Sequence, residues 1–375
     1  MAELALVLLI GLLGPVLALP KRFAIPVAVG ELLAGVVVGV SGLRIIDASA
    51  ANLQLLFSIG FALVMMVAAS HIDVKRFANR EVFLVALRNV GLSALLGLAV
   101  GLGISYVTGA SSLWALFSVL VTSSSAAVVL PVFQNRDSTF GMESFLAQVA
   151  LADLISVLML PLVADPARIM QVGLGAVVLL ALSVMIFFAL KWLGRSGKWR
   201  SLRHLSRERH FGLELRLSLI MLLGLIWVAQ SFTVTILIAG FGLGLAIGAN
   251  GLPHRLARQM FAVSEGFFAP IFFVLLGASI DFRAALTSPQ LLGMAGLLGA
   301  GAVLVHLIGA AFGQRLSLAV AASAQLGVPS AAVSIGVANG LLSAGQAGAV
   351  MLGALITLLA TAWASTRIQN VSPKP

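Results

Sequence analysis

The sequence predicts an all-α polytopic membrane protein of about thirteen transmembrane helices, built as an inverted repeat. Three observations carry this. Of 375 residues, 60% are hydrophobic and only 10% charged, where a soluble chain carries about 25% charged residues. The mean hydropathy is +1.11, and apolar stretches of about 18 residues or more, each long enough to cross a bilayer, recur from end to end. Short sequence matches also recur at a nearly constant offset that spans an odd number of these stretches.

Dividing the chain at charged or Pro/Gly-rich connectors gives spans near residues 3–20, 24–42, 52–70, 82–107, 111–133, 140–164, 169–193, 211–231, 232–250, 257–279, 288–313, 316–338 and 343–366. The first run lacks a basic leader and a small-residue cleavage site. Lys21 and Arg22 follow it instead, which predicts a retained first span with the N-terminus outside. In that orientation the inner connectors hold Lys21, Arg22, Lys75, Arg76, Arg80, Arg136, Arg255, Arg258, Arg315, Arg367 and Lys374 together with the basic linker 193–211, against only Arg44, Arg168 and Arg283 outside. This asymmetry predicts a cytoplasmic C-terminus and residence in the cell inner or plasma membrane. It also accounts for the net charge of +10 without nucleic acid. The linker reads first as a topogenic connector between halves and second as an anionic-lipid contact.

Ala34, Gly35 and Gly39 are echoed by Ala239, Gly240 and Gly244, and Ser125, Ala126, Ala127 and Val128 by Ser330, Ala331, Ala332 and Val333, both at an offset of 205. Asp73 and Asp281 stand 208 apart in similar surroundings. The offset covers seven predicted helices, so the second copy is upside down. A single membrane domain over 1–375 is expected, with repeats at roughly 24–164 and 232–366 and no soluble regulatory domain. The small-xxx-small rows Gly35/Gly39 and Gly240/Gly244/Gly248 predict close helix approach.

With no cysteine, disulfides and thiol catalysis are excluded. There is no Walker loop and no HExxH, and the glycines from 240 to 248 miss the GxGxxG spacing, so no enzyme and no cofactor are expected.

The chemistry concentrates in two spans. Thr122, Ser123, Ser124 and Ser125 lie midway along one apolar run, and Asp153 midway along the next. A central Asp costs roughly 2.5–3.5 kcal/mol on insertion scales. A proton or a cation neutralises it equally, so one carboxylate can hold either, each displacing the other. The repeat partner of the hydroxyl cluster holds Gln325, Gly327, Pro329 and Ser330, and Pro329 with Gly327 predicts an unwound segment there. Two interrupted helices, with freed carbonyls and half-helix ends, would coordinate a small ion. His306, in the span before the second interruption, is a candidate titratable modulator. Arg88, Glu214 and Arg216 read as snorkelling end charges, and Glu31 and Glu265 as structural or vestibule groups.

The run from Pro26 through Gly30, Glu31, Ala34 and Gly35 to Gly39 and Gly42 resembles the second helix of the monovalent cation:proton antiporters, Kef/Nap-type sodium/hydrogen exchanger branch. The run Phe268, Ala269, Pro270 to Gly277, Ala278, Ser279, Ile280 and Asp281 resembles a later segment of that family. The resemblance covers nearly the whole chain. It implies the Na+/H+ antiporter-like fold with two discontinuous crossing helices, a dimerisation domain and a mobile core. It further implies a likeness in function: exchange of Na+ or K+ for protons by alternating access, homodimers, and roles in ion transport and pH homeostasis. The family's paired polar residues read Ala152-Asp153 here, its basic residue falls on His306, and its Arg-Gly-Glu-like motif on Leu326, Gly327 and Val328. One carboxylate per site implies electroneutral exchange. The alternatives are a channel-like efflux protein without obligatory proton coupling, and a non-transporting membrane sensor or subunit.

Overall fold

The computed structural model describes residues 2–18, 27–48, 50–72, 79–133, 139–195, 204–206, 209, 211–232, 234–251 and 254–369. The helices in chain order are α1 (Ala2–Gly11), α2 (Leu13–Ala18), α3 (Val27–Val38), α4 (Ala51–Ser70), α5 (Arg80–Val107), α6 (Trp114–Thr122), α7 (Ala126–Phe133), α8 (Phe140–Ala164), α9 (Ile169–Arg195), α10 (Leu213–Ser231), α11 (Ile236–Ala249), α12 (His254–Val263), α13 (Ala269–Ser279), α14 (Phe282–Thr287), α15 (Pro289–His306), α16 (Ile308–Ala311), α17 (Leu316–Ala321), α18 (Gly327–Ala338) and α19 (Ala344–Gln369). A π turn, Ser264–Phe268, joins α12 to α13. Among the described residues, nine spans are long and apolar enough to cross a membrane and four shorter apolar helices accompany them, one for each expected span. Lys21, Arg22, Asp73, Lys75, Arg76, Arg136 and Lys374 lie outside the described residues.

The helices form two bundles. In the first, α3 runs along α13 and α11 along α4, with α1, α2, α9 and α10 around them. In the second, α5 packs on α6 and α8, α15 on α5, α6 and α19, and α17 and α18 on α19. Contacts of α8 with α9 and of α4 with α7 join the bundles.

The glycine rows explain the first bundle. A Cβ on Gly35 would overlap the Val274 backbone, and one on Gly39 the Ala278 backbone. Gly240, Gly244 and Gly248 meet Ala62, Met66 and Ser70 of α4 in the same way. Between apolar helices in lipid there is little hydrophobic drive, so close backbone approach supplies the packing energy. Each glycine row thus presses against a helix from the other half of the chain. The contact ends in a polar clamp: the Val40 amide donates to the Ala278 carbonyl at 3.0 Å, and Ser41 Oγ donates to the Ile280 carbonyl and accepts from the Phe282 amide, both at 2.7 Å. Asp281 caps α14 by accepting from the Ala284 amide at 3.0 Å.

Gly39→Val is expected to lower thermal stability in detergent by at least the ~1–3 kcal/mol typical of overpacking, because the obstructing atoms are backbone. Gly103→Ala on α5, where a Cβ meets nothing within 4 Å, should be neutral or stabilising by up to ~1 kcal/mol. Equal melting temperatures for the two variants would contradict this packing.

Candidate ion-binding site

Three successive serines end α6. Serine hydroxyls compete with the helix for backbone partners, and here they do so in the middle of a span. Thr122 Oγ1 donates back to the Ser118 carbonyl at 2.8 Å, and Ser123 Oγ to the Leu120 carbonyl at 2.9 Å. At Ser123 the backbone turns extended, with φ −68° and ψ 151°, and α7 begins three residues later at Ala126. The first amides of a helix have no intrahelical acceptor. The Ala126 amide instead donates to Asp153 Oδ2 at 2.9 Å. The carboxylate of α8 is therefore held at the positive end of a half-helix. Asp153 is only 6% exposed, and its Oδ1 has no hydrogen-bond partner among the described residues.

The second interruption lies between α17 and α18, at residues 322–326. The expectation that Pro329 and Gly327 unwind this span needs correcting. Both sit in the first turn of α18, where a proline ring fits and its missing N–H leaves nothing unpaired, and Ser330 Oγ donates back to the Leu326 carbonyl at 2.6 Å. Unwinding happens just before them. There the Gln325 amide donates to Thr357 Oγ1 of α19 at 3.2 Å.

The two interruptions meet. Ser124 Oγ donates to the Ala322 carbonyl at 2.7 Å, and Gln325 Nε2 donates to the Ser123 carbonyl at 3.2 Å. Each break supplies the side chain that satisfies a carbonyl of the other. Of the four clustered hydroxyls, Thr122 and Ser123 bond back to their own helix and Ser124 reaches across. Ser125 has no side-chain hydrogen bond among the described residues. From the first bundle, the Met65 thioether of α4 packs against Gly327.

His306 is 1% exposed, its Nδ1 paired at 2.9 Å with the Ala302 carbonyl of its own helix and its Nε2 without a partner among the described residues. Among the described residues no hydrogen bond joins it to Asp153 or to either break. Glu31 (α3) and Glu265 (π turn) lie in the first bundle, Glu31 in the electrostatic field of Glu265 and Glu265 in that of His71.

Sequence reading missed a second polar cluster on α8. Gln148 Oε1 accepts from Asn89 Nδ2 at 3.1 Å and from Gln314 Nε2 at 3.0 Å. Arg88, expected to snorkel, donates to Asn89 Oδ1 at 3.1 Å and to the Phe312 carbonyl at 3.2 Å. The only signal was an amide in an otherwise apolar run of α8, and nothing in the sequence names its partners on α5 and beyond α16.

Two interrupted helices that cross beside a buried acid, one from each inverted copy, define a secondary ion transporter. Residues 5–368 match the family described as Sodium/hydrogen exchanger, transmembrane, and the chain belongs to that family. The Na(+)/H(+)-K(+) antiporter GerN of Bacillus cereus is 26% identical over 358 residues, covering 92% of this chain and 90% of that protein. The Na(+)/H(+) antiporter of Enterococcus hirae is 24% identical over 313 residues, covering 79% and 77%. This chain spans 47% of the length of a Bacillus subtilis relative that is 24% identical over 300 residues. The fold is that of the sodium proton antiporter MjNhaP1 from Methanocaldococcus jannaschii, with a TM-score of 0.68 at 19% identity over 98% of this chain and 96% of that one.

Removing an acceptor from a buried donor costs about 1–3 kcal/mol. Thr357→Val, which strands the Gln325 amide, should cost that much in thermal unfolding. Gln148→Leu should cost more, because it strands Asn89 and Gln314 together. Wild-type melting of both variants would dissolve the two networks as described.

Proposed function

We propose that this chain exchanges a monovalent cation, Na+ or K+, for protons across a membrane, and that Asp153 carries either one. The observation that carries this reading is the half-satisfied carboxylate: Oδ2 is fixed by the Ala126 amide while Oδ1 is uncommitted. Among the described residues no group of three or more His, Cys, Asp or Glu side chains comes together. A cation at Asp153 therefore completes its shell from neutral oxygens, and the Ser125 hydroxyl and the carbonyls of the two breaks are oxygens of that kind. Such a set suits a monovalent ion, whose charge one carboxylate balances.

The coupling follows from desolvation. A bare carboxylate moved through a low-dielectric core costs several kcal/mol, and a neutralised one costs far less. Only the protonated and the cation-loaded site cross, so each half-cycle carries one ion and the exchange is electroneutral. The relatives' names support both cations, since the Bacillus cereus protein is named for Na+, H+ and K+. Gln325 shapes the second break, which ends where Gly327, Pro329 and Ser330 open the first turn of α18, and Thr122, Ser123 and Ser124 shape the first. His306, buried with one unpaired nitrogen, tunes the response to pH. The basic connectors support an N-terminus outside and a cytoplasmic C-terminus in the cell's inner or plasma membrane. The chain acts as a homodimer, with the first bundle as the fixed partner surface and the second as the moving part.

In proteoliposomes, Asp153→Asn should abolish cation-driven proton movement for Na+ and K+ alike, with the melting profile preserved. Exchange that survives the substitution would remove Asp153 from the carrier role. His306→Gln, which keeps a polar side chain but removes the imidazole, should displace the pH–activity profile. An unmoved profile returns the ring to packing.

A further inference from the structure

At the charged end of α9 the first bundle opens into a groove of about 640 Å³, walled by α9, α10 and the end of α11. Its interior is apolar, with Leu190, Leu217 and Met221 among the lining residues. Its rim carries Lys191 and Arg195, with Glu214 opposite. Lys191 Nζ stands 5.7 Å from the Phe187 ring centroid. Trp192, also on the rim, is 73% exposed. The wall is fixed where Asn250 Nδ2 donates to the Phe187 carbonyl of α9 at 3.0 Å and to the Ala246 carbonyl at 2.8 Å.

We propose that this groove binds an anionic phospholipid, its headgroup on Lys191 and Arg195 and the start of an acyl chain against the apolar walls. Three features select that occupant. The cationic pair sits in the last two turns of a helix long and apolar enough to span a membrane, and an aromatic side chain accompanies it, as at membrane interfaces generally. A free inorganic anion would leave the apolar interior unfilled, whereas a lipid fills both parts. A second copy of the chain would bring the same basic rim against this one, and like-charge juxtaposition opposes that. Basic residues near a membrane surface contribute about 1 kcal/mol each toward anionic lipid. Glu214 offsets one of the two. The site goes beyond the exchange reading and draws on it only for the leaflet, which the proposed orientation makes the cytoplasmic one.

The test is fluorescence quenching of the full chain in phosphatidylcholine proteoliposomes containing either brominated phosphatidylglycerol or brominated phosphatidylcholine. The Trp192 contribution is taken as the quenching lost in Trp192→Phe. The expected result is half-maximal quenching of Trp192 by the glycerol lipid at about fivefold lower mole fraction than by the choline lipid. The double substitution Lys191→Gln, Arg195→Gln should abolish that difference. If the double variant does not fold, about 0.5 M salt on the wild type should narrow the difference instead, since screening acts at this exposed rim. Identical curves for both lipids mean ordinary boundary lipid and overturn the proposal. Quenching by neither means a second copy covers the groove, and overturns it equally. Asp153→Asn should show the wild-type lipid preference, so loss of exchange and loss of lipid binding are separable.

Discussion

Backbone polar groups inside a bilayer must find partners within the protein, and everything unusual here answers to that rule. A helix broken in mid-membrane exposes amides on one side of the gap and carbonyls on the other. This chain breaks two helices at the same place and lets each repair the other. Ser124 covers the Ala322 carbonyl, Gln325 covers the Ser123 carbonyl, Thr357 takes the Gln325 amide, and Asp153 takes the Ala126 amide. The acid is thus part of the repair as well as the group to which we assign the exchange. Its one bonded oxygen holds the start of α7 in place, and the other has no hydrogen-bond partner among the described residues.

The two bundles divide the labour by the kind of contact they use. In the first, glycine rows bring backbones into contact along α3 and α13 and along α11 and α4. Such rows tolerate no added atom, and they suit a rigid panel. In the second, side-chain amides tie α5, α8 and the loop after α16 together. The panel meets the breaks through Met65 at Gly327. An unbranched thioether is the side chain best able to re-pack when its neighbour shifts.

Much of this was legible in the sequence because oil and water separate sharply along it. Each of the thirteen apolar stretches holds helix among the described residues, two of them interrupted, and the glycine rows marked faces of close approach. Asp153 and the serine run stood out because polar groups are expensive in such surroundings. The second break was placed a few residues late, since Pro329 suggests a kink wherever it stands and yet is at ease in the first turn of α18. The amide cluster was invisible for a different reason. Asn89 lies 59 residues and Gln314 166 residues from Gln148, and a neutral amide advertises no partner.

The cross-repair also bears on how the chain is made. The Ser123 carbonyl waits for a side chain 202 residues further on, and the Ala322 carbonyl is met by one 198 residues behind. The early half enters the membrane with its gap open and stays so until the late half arrives upside down beside it. Neither half is a finished folding unit, so separately produced halves would have to find each other before either could close. The interlock between the two breaks closes only when both halves of the chain are present.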